Sequence, residues 1–232
     1  MDFLALSPFE KEALRLSLWV SGWAVAGILP PGIFVSWLLA RRNFPGKSVL
    51  DGLVHLPLVL PPVVMGYALL VLLGRKGIWG AWLYEVFGIT FAFSWKGAAL
   101  ASGVMAFPLL VRAVRLSIEG VDQGLEAAAR TLGARPMRVF FTITLPLIMP
   151  GILTGIILAF ARSLSEFGAT ITFVSNIPGE TRTLPLTLYT LTQVPGGETG
   201  AFRLCVISVA LAMIALISSE ILSRYLSFRM KG

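Results

Sequence analysis

Long apolar runs alternate with short polar stretches along the whole chain. A helix of about 20 apolar residues is long enough to cross the hydrocarbon of a bilayer. Runs at residues 14–39, 49–73, 97–111, 146–163 and 202–222 therefore predict five membrane-spanning helices. Gly27, Pro30 and Pro31 interrupt the first and predict a kink or an unwound turn. Pro57, Pro61 and Pro62 break the second. Residues 78–95 are rich in rings, with Trp79, Trp82, Tyr84, Phe87, Phe91, Phe93 and Trp95. Amphipathic rings favour the membrane–water boundary, so this segment either anchors its neighbours or offers a docking surface. In the fourth run Gly151, Gly155 and Ala159 recur every four residues, a spacing that permits close helix packing in lipid. A shorter apolar helix is predicted over residues 184–191, between the turn signals Asn176-Ile-Pro-Gly and Pro195-Gly-Gly.

One long inter-span segment is amphipathic rather than apolar. Leu125, Ala128, Ala129 and Leu132 share a helical face that is small and apolar. Gly133 can end that helix, and Pro136 can begin another at the position where its missing N–H costs nothing. Val139, Phe140 and Ile143 then lead into the apolar run at Leu145. The pattern predicts two short helices joined by a tight corner at the membrane surface, a knob that another protein can grip.

Composition agrees with a membrane protein. The 232 residues are 56% apolar and 13% charged, about half the charged share of a soluble domain. The net charge of +7 would suggest a nucleic-acid partner in a soluble chain. Here the basic residues flank apolar runs, where the positive-inside rule accounts for them, and nucleic-acid binding is set aside. Placing the N-terminus outside puts Arg41, Arg42, Lys47, the basic cluster from Arg112 to Arg138, and Arg224, Arg229 and Lys231 inside. The amphipathic segment then lies in the cytoplasm, where ATP is. The single cysteine, Cys205, excludes an internal disulfide and a Cys-based metal site, and reads as a small packing residue. The N-terminus lacks the basic region and cleavage site of a secretory signal, so the first span is expected to be retained. No fixed-period repeat or low-complexity linker divides residues 1–232, which predicts one all-α transmembrane domain.

Few residues could carry chemistry. One His and no H-E-x-x-H or G-x-S-x-G leave hydrolytic zinc or serine chemistry without a foothold. Gly46-Lys47-Ser48 imitates the end of a phosphate-binding loop, but Arg41 stands where its first Gly is needed and Pro45 removes an N–H. No cofactor is expected in this chain; if ATP powers it, a separate subunit binds the ATP. Asp51 and His55 are one helical turn apart and read as an interfacial pair or a proton relay. Glu220 and Arg224 read as a stabilising pair at a helix end. Arg162 and Glu166 are also i and i+4, among Ser163, Ser165 and Thr170, with Gly168 as a flexible point. Two readings stand: an internal ion pair holding the fourth span, or a pathway lining whose hydroxyls and N–H groups suit a tetrahedral oxyanion weakly.

The amphipathic segment carries a resemblance. Ala128-Ala129, three residues, Gly133, nine residues, then Ile143, Thr144, Leu145 and Pro146 resembles the E-A-A loop of ABC importer permeases. In that family the loop is a coupling helix that docks in a groove of a cytoplasmic ATPase. The resemblance therefore assigns a coupling loop at about residues 120–145. Its docking positions would be Glu126, Ala127, Ala128, Ala129, Gly133, Ile143, Leu145 and Pro146. The family's acidic position falls on Ala127, however, and Glu126 sits one residue early, which turns its side chain by about 100° on a helix. Phe44-Pro-Gly-Lys-Ser, the run from His55 to Val64, Arg162–Thr172, and Asn176 through Thr183 are similar to the molybdate ABC importer permeases.

That likeness implies a type I ABC importer permease fold, with five spans and a cytoplasmic coupling helix. It implies a non-enzymatic homodimer in a bacterial inner membrane, N-terminus periplasmic and C-terminus cytoplasmic. Two cytoplasmic ATPase subunits and a periplasmic molybdate-binding protein would complete it. A sulfate, thiosulfate or tungstate permease is the same-class alternative, and a passive anion channel a more distant one.

Overall fold

Helix α1 (Pro8–Arg41) sets the height of the molecule. It opens with a capping box: Glu10 N–H donates to Ser7 Oγ (3.2 Å) and Ser7 N–H donates to Glu10 Oε2 (2.7 Å). The computed structural model describes residues 6–231, and the side chains at 219 and 223–231 lie outside that description. Every regular element among the described residues is helical. At 34 residues α1 is about 50 Å long, more than the roughly 30 Å of a hydrocarbon core. Of the kink or unwound turn expected at Pro30 and Pro31, the unwound turn is absent, and the helix continues through both prolines. The carbonyls that these prolines leave without a donor belong to Ala26 and Gly27, which lie on an exposed face.

The second span is two half-helices, α2 (Lys47–Val59) and α3 (Pro62–Leu73), set at 115° to each other. Pro61 drives Leu60 into extended backbone (φ −74°, ψ 143°), which ends α2. Asp51, in α2, pairs with Arg115 near the end of α5 (Trp95–Glu119). Leu69 and Leu73, in α3, pack in the cluster that contains Trp95 at the start of α5. The bent pair therefore runs the full height of α5. Among the described residues four helices are long and apolar enough to cross a membrane, and the count is five when the bent pair is taken as one broken span.

Short α4 (Ile78–Phe87) follows, with Ile78, Trp79, Trp82, Tyr84 and Phe87 exposed, as suits the boundary segment predicted there. Helix α5 is the most enclosed span and forms the core. Its Leu110 and Val114 pack with Ile148, Ile152 and Ala159 of α8 (Leu145–Leu164). The glycine spacing works as expected: a methyl on Gly151 would overlap the Ser117 hydroxyl, and one on Gly155 would meet Leu110 at 2.9 Å.

Beyond α8 come α9 (Gly168–Val174), α10 (Leu184–Thr192) and α11 (Glu198–Lys231). Helix α9 presses on α3, where a methyl on Gly66 would meet the Ala169 carbonyl at 2.6 Å. Leu184 N–H donates to Ser17 Oγ on α1 (2.6 Å). Arg203, near the start of α11, pairs with buried Glu10 at 3.2 Å. Helix α11 is the least enclosed span. Cys205 is exposed on it rather than packed, which corrects the reading of that residue. The side chains of Arg224, Arg229 and Lys231 lie outside the described residues, and so does the expected Glu220–Arg224 pair.

Candidate functional site

The amphipathic segment folds at the end of the bundle where α1 and α5 finish. Asp122 caps α6 (Gln123–Thr131) by accepting from Gly124 N–H at 2.8 Å. The helix stops in a Schellman turn. Ala134 N–H donates to the Ala129 carbonyl (3.1 Å), and Gly133 N–H to that of Arg130 (3.0 Å). Gly133 has φ +83° with open space around its Cα, so backbone conformation rather than packing demands glycine there. Pro136 opens α7 (Pro136–Val139) at its first position. A π-helical turn, Phe140–Thr144, then feeds directly into α8. The predicted corner is present at the predicted residues.

Glu126 faces inward. It is 9% exposed. Its Oε1 accepts from Arg41 Nη2 at 3.1 Å and from Thr144 Oγ1 at 2.8 Å. Arg41 also donates to the Val121 carbonyl at 3.3 Å. One carboxylate thus ties α6 to the last turn of α1 and to the turn that opens α8. A buried carboxylate needs such partners, because an uncompensated one is expensive. The one-residue offset of Glu126 has its counterpart in this geometry: the acid serves the chain's own frame.

What faces outward is apolar. Ala127 and Ala128 are exposed, and Ala129 is half-buried. Leu125, Met137 and Phe141 are each at least half exposed, and Leu132 reaches 88%. Exposed Arg130, Arg135 and Arg138 flank them. Ile143 and Leu145 are half-buried, Leu145 in the α5–α8 core, while Pro146 is exposed in the first turn of α8. The eight sequence-predicted coupling positions therefore divide. Ala127, Ala128 and Gly133 lie on the outer surface, Ile143 is half-buried, and Glu126 and Leu145 join the knob to the bundle.

The second predicted cluster is closed on itself. Arg162 Nη1 lies 2.7 Å from Glu166 Oε2, and Glu166 is 2% exposed. Its other oxygen accepts from Ala169 N–H at 2.8 Å, at the start of α9. Buried Thr170 donates to the Phe167 carbonyl (2.8 Å). Exposed Ser165 donates to that of Arg162 (3.0 Å). Ser163 is buried, and its hydroxyl has no hydrogen-bond partner among the described residues. The structure brings Arg162, Glu166 and Thr170 together, and leaves Ser165 and the edge of Arg162 accessible.

Asp51 and His55 do meet, with His55 Nδ1 at 3.4 Å from Asp51 Oδ1 and 2.9 Å from its carbonyl. The sequence reading missed Arg115, which binds Asp51 Oδ1 at 2.9 Å and Glu119 at 2.8 Å. It also missed Arg41 and Thr144 as partners of Glu126, and the Glu10–Arg203 pair. Only the Arg115–Glu119 spacing of i and i+4 was a visible signal.

A family model described as "Binding-protein-dependent transport system inner membrane component" matches residues 32–232. The chain belongs to that family. This permease is 66% identical over 221 residues to the molybdenum transport system permease protein ModB of Escherichia coli, covering 95% of this chain and 96% of that one. Its counterpart in Haemophilus influenzae is 60% identical over 215 residues, covering 93% and 94%. The sulfate transport system permease protein CysW of Synechococcus elongatus is more distant, 39% identical over 176 residues, covering 76% and 61%. Among solved structures, the permease resembles a chain of a bacterial ABC transporter that imports the acidic polysaccharide alginate. The TM-score is 0.73 at 17% identity, covering 95% and 80%. A chain of the MetNI methionine ABC transporter gives 0.67 at 16%, covering 94% of each. The fold is that of a type I ABC importer permease, and the chain is an inner-membrane transport component.

Proposed function

We propose that this permease carries molybdate through an ATP-driven, binding-protein-dependent importer, as one half of a homodimer. Two cytoplasmic ATPase subunits bind the ATP, and a periplasmic binding protein delivers the anion. The N-terminus is periplasmic, and the Leu125–Leu132 surface of α6 faces the cytoplasm. The observation that carries the reading is the outward apolar surface on α6, on a knob that Glu126 ties to α1 and α8. Exposed leucines beside small alanines, at the end of a membrane bundle, suit a groove in a second protein. The names of the relatives support molybdate as the cargo.

ATP draws the two ATPases together, and each pulls on one knob. Because Glu126 ties α6 to Arg41 and Thr144, the pull reaches α1 and α8 as a rigid displacement. The two conformations differ in stability according to nucleotide state, which is what alternating access requires. The weak polar groups near Ser165 and Arg162 would line part of the route, passing the anion without trapping it.

Reconstitution with the ATPase and binding-protein subunits tests this. Vanadate-sensitive uptake of labelled molybdate is expected, with sulfate competing poorly. Gly133→Pro, which cannot adopt φ +83°, is expected to abolish uptake and substrate-stimulated ATP hydrolysis while membrane insertion stays intact. Normal transport by a well-inserted Gly133→Pro protein would remove the coupling assignment.

A further inference from the structure

Between the second half of α1 and the α7–π-turn segment lies a groove of about 520 Å³. Its walls are Pro30, Ile33, Phe34 and Trp37 on one side and Met137, Phe140 and Phe141 on the other. Phe34, Met137 and Phe141 are all more than half exposed. Arg42 and Arg130 also line it. The Arg42 guanidinium sits over the Trp37 ring, 5.5 Å from its centroid. Glu126 is the one acid lining it, and Arg41 and Thr144 already hold its Oε1. Arg130 reaches the outer oxygen of Glu126 only at 3.9 Å. Arg41, outside the lining, already neutralises Glu126, so the two guanidiniums that line the groove, Arg42 and Arg130, leave its mouth positive.

Depth decides the occupant. Pro30 stands twelve residues before Arg42, about 18 Å along a helix. The groove therefore runs from the basic end of α1 well into its apolar stretch, beyond the reach of a protein outside the membrane. Trp37 beneath a guanidinium marks the boundary, where rings with an apolar body and a polar edge settle. Basic pockets between spans at this level suit acidic headgroups. An apolar channel with a cationic mouth at the water boundary fits an amphiphile with one anionic end.

We propose that this groove binds an anionic glycerophospholipid. Its phosphate lies between Arg42 and Arg130, and an acyl chain lies along Phe34, Ile33 and Phe141. The lipid fills the gap between α1 and the coupling segment, so it adds a second link beside the Glu126 tie.

The full-length permease, purified and placed in vesicles, tests the assignment with a phosphatidylglycerol probe bearing a photoreactive group on one acyl chain. Labelling is expected to concentrate on peptides covering residues 30–37 and 136–141, at least fivefold over the exposed face of α11. A matched phosphatidylcholine probe is expected to lose that enrichment. The double variant Arg42→Gln/Arg130→Gln alters only exposed side chains and is expected to cut phosphatidylglycerol labelling there about fivefold, with labelling of α11 unchanged. Uniform labelling of all lipid-facing helices, equal labelling by both probes, or labelling indifferent to the double variant would overturn the proposal. Crosslinks from residue 34 to a second copy or to an ATPase subunit in place of lipid would overturn it too.

Discussion

The segment from Gln123 to Thr144 and the segment from Arg162 to Thr172 invert each other. Both stand out in an apolar chain because they hold polar groups. In the first, the acid turns inward to Arg41 and Thr144, and leucine, methionine and phenylalanine are left on the outside. In the second, Glu166, Thr170 and Ser163 are buried, and Glu166 and Thr170 find partners within the segment. A docking surface shows as apolar area left uncovered. A frame shows as polar groups that satisfy each other. The difference between the two segments is what remains after internal bonding, not which residue types each contains.

Arg162→Ala should have the largest effect. It strands the Glu166 carboxylate at 2% exposure, and breaking a buried pair this way costs about 3–5 kcal/mol. Thermal unfolding in detergent is expected to fall sharply. Full stability with transport abolished would instead mark the segment as pathway. Glu126→Gln should cost less, about 1.5–3 kcal/mol for its charged hydrogen bonds, because the Thr144 contact can survive. Its expected signature is more ATP hydrolysed per anion moved, with the ATPase still bound. A complex that falls apart on this change would place the acid at the docking surface. Leu132→Asp should leave stability within about 0.5 kcal/mol, as for an exposed site. The ATPase is nevertheless expected to copurify poorly with it. Undiminished copurification would break the contrast between the two segments.

Two Pro-Pro pairs show what the sequence could and could not reveal. Pro30–Pro31 and Pro61–Pro62 look alike, the first predicting a kink or an unwound turn and the second a break. The first is carried inside a continuous helix, while the second bends the chain by 115°. Tertiary contact separates them. Helix α1 lies against α5 across its proline site, where a methyl on Gly32 would meet Leu110 at 2.7 Å. Helix α3 is instead drawn onto α9 through Gly66. The corner at Gly133 and Pro136 was legible because turn and cap chemistry is local. That α8 would take a close neighbour was legible, because glycine spacing has few other uses in lipid, but that the neighbour is α5 was not. Asp51 with Arg115, and Glu10 with Arg203, were not, since each pair joins residues far apart in sequence. The direction of Glu126 was half legible: the offset indicated a turned side chain, but only the fold supplies Arg41 and Thr144 to receive it.

The direct test is site-specific crosslinking in the assembled importer, in a Cys205→Ser background. Leu132→Cys is expected to crosslink to the ATPase subunit in a nucleotide-dependent manner, while Glu126→Cys in the same complex gives no ATPase adduct. An ATPase adduct from residue 126 but not from 132, or labelling of residue 132 by an impermeant reagent added outside intact cells, would contradict the account.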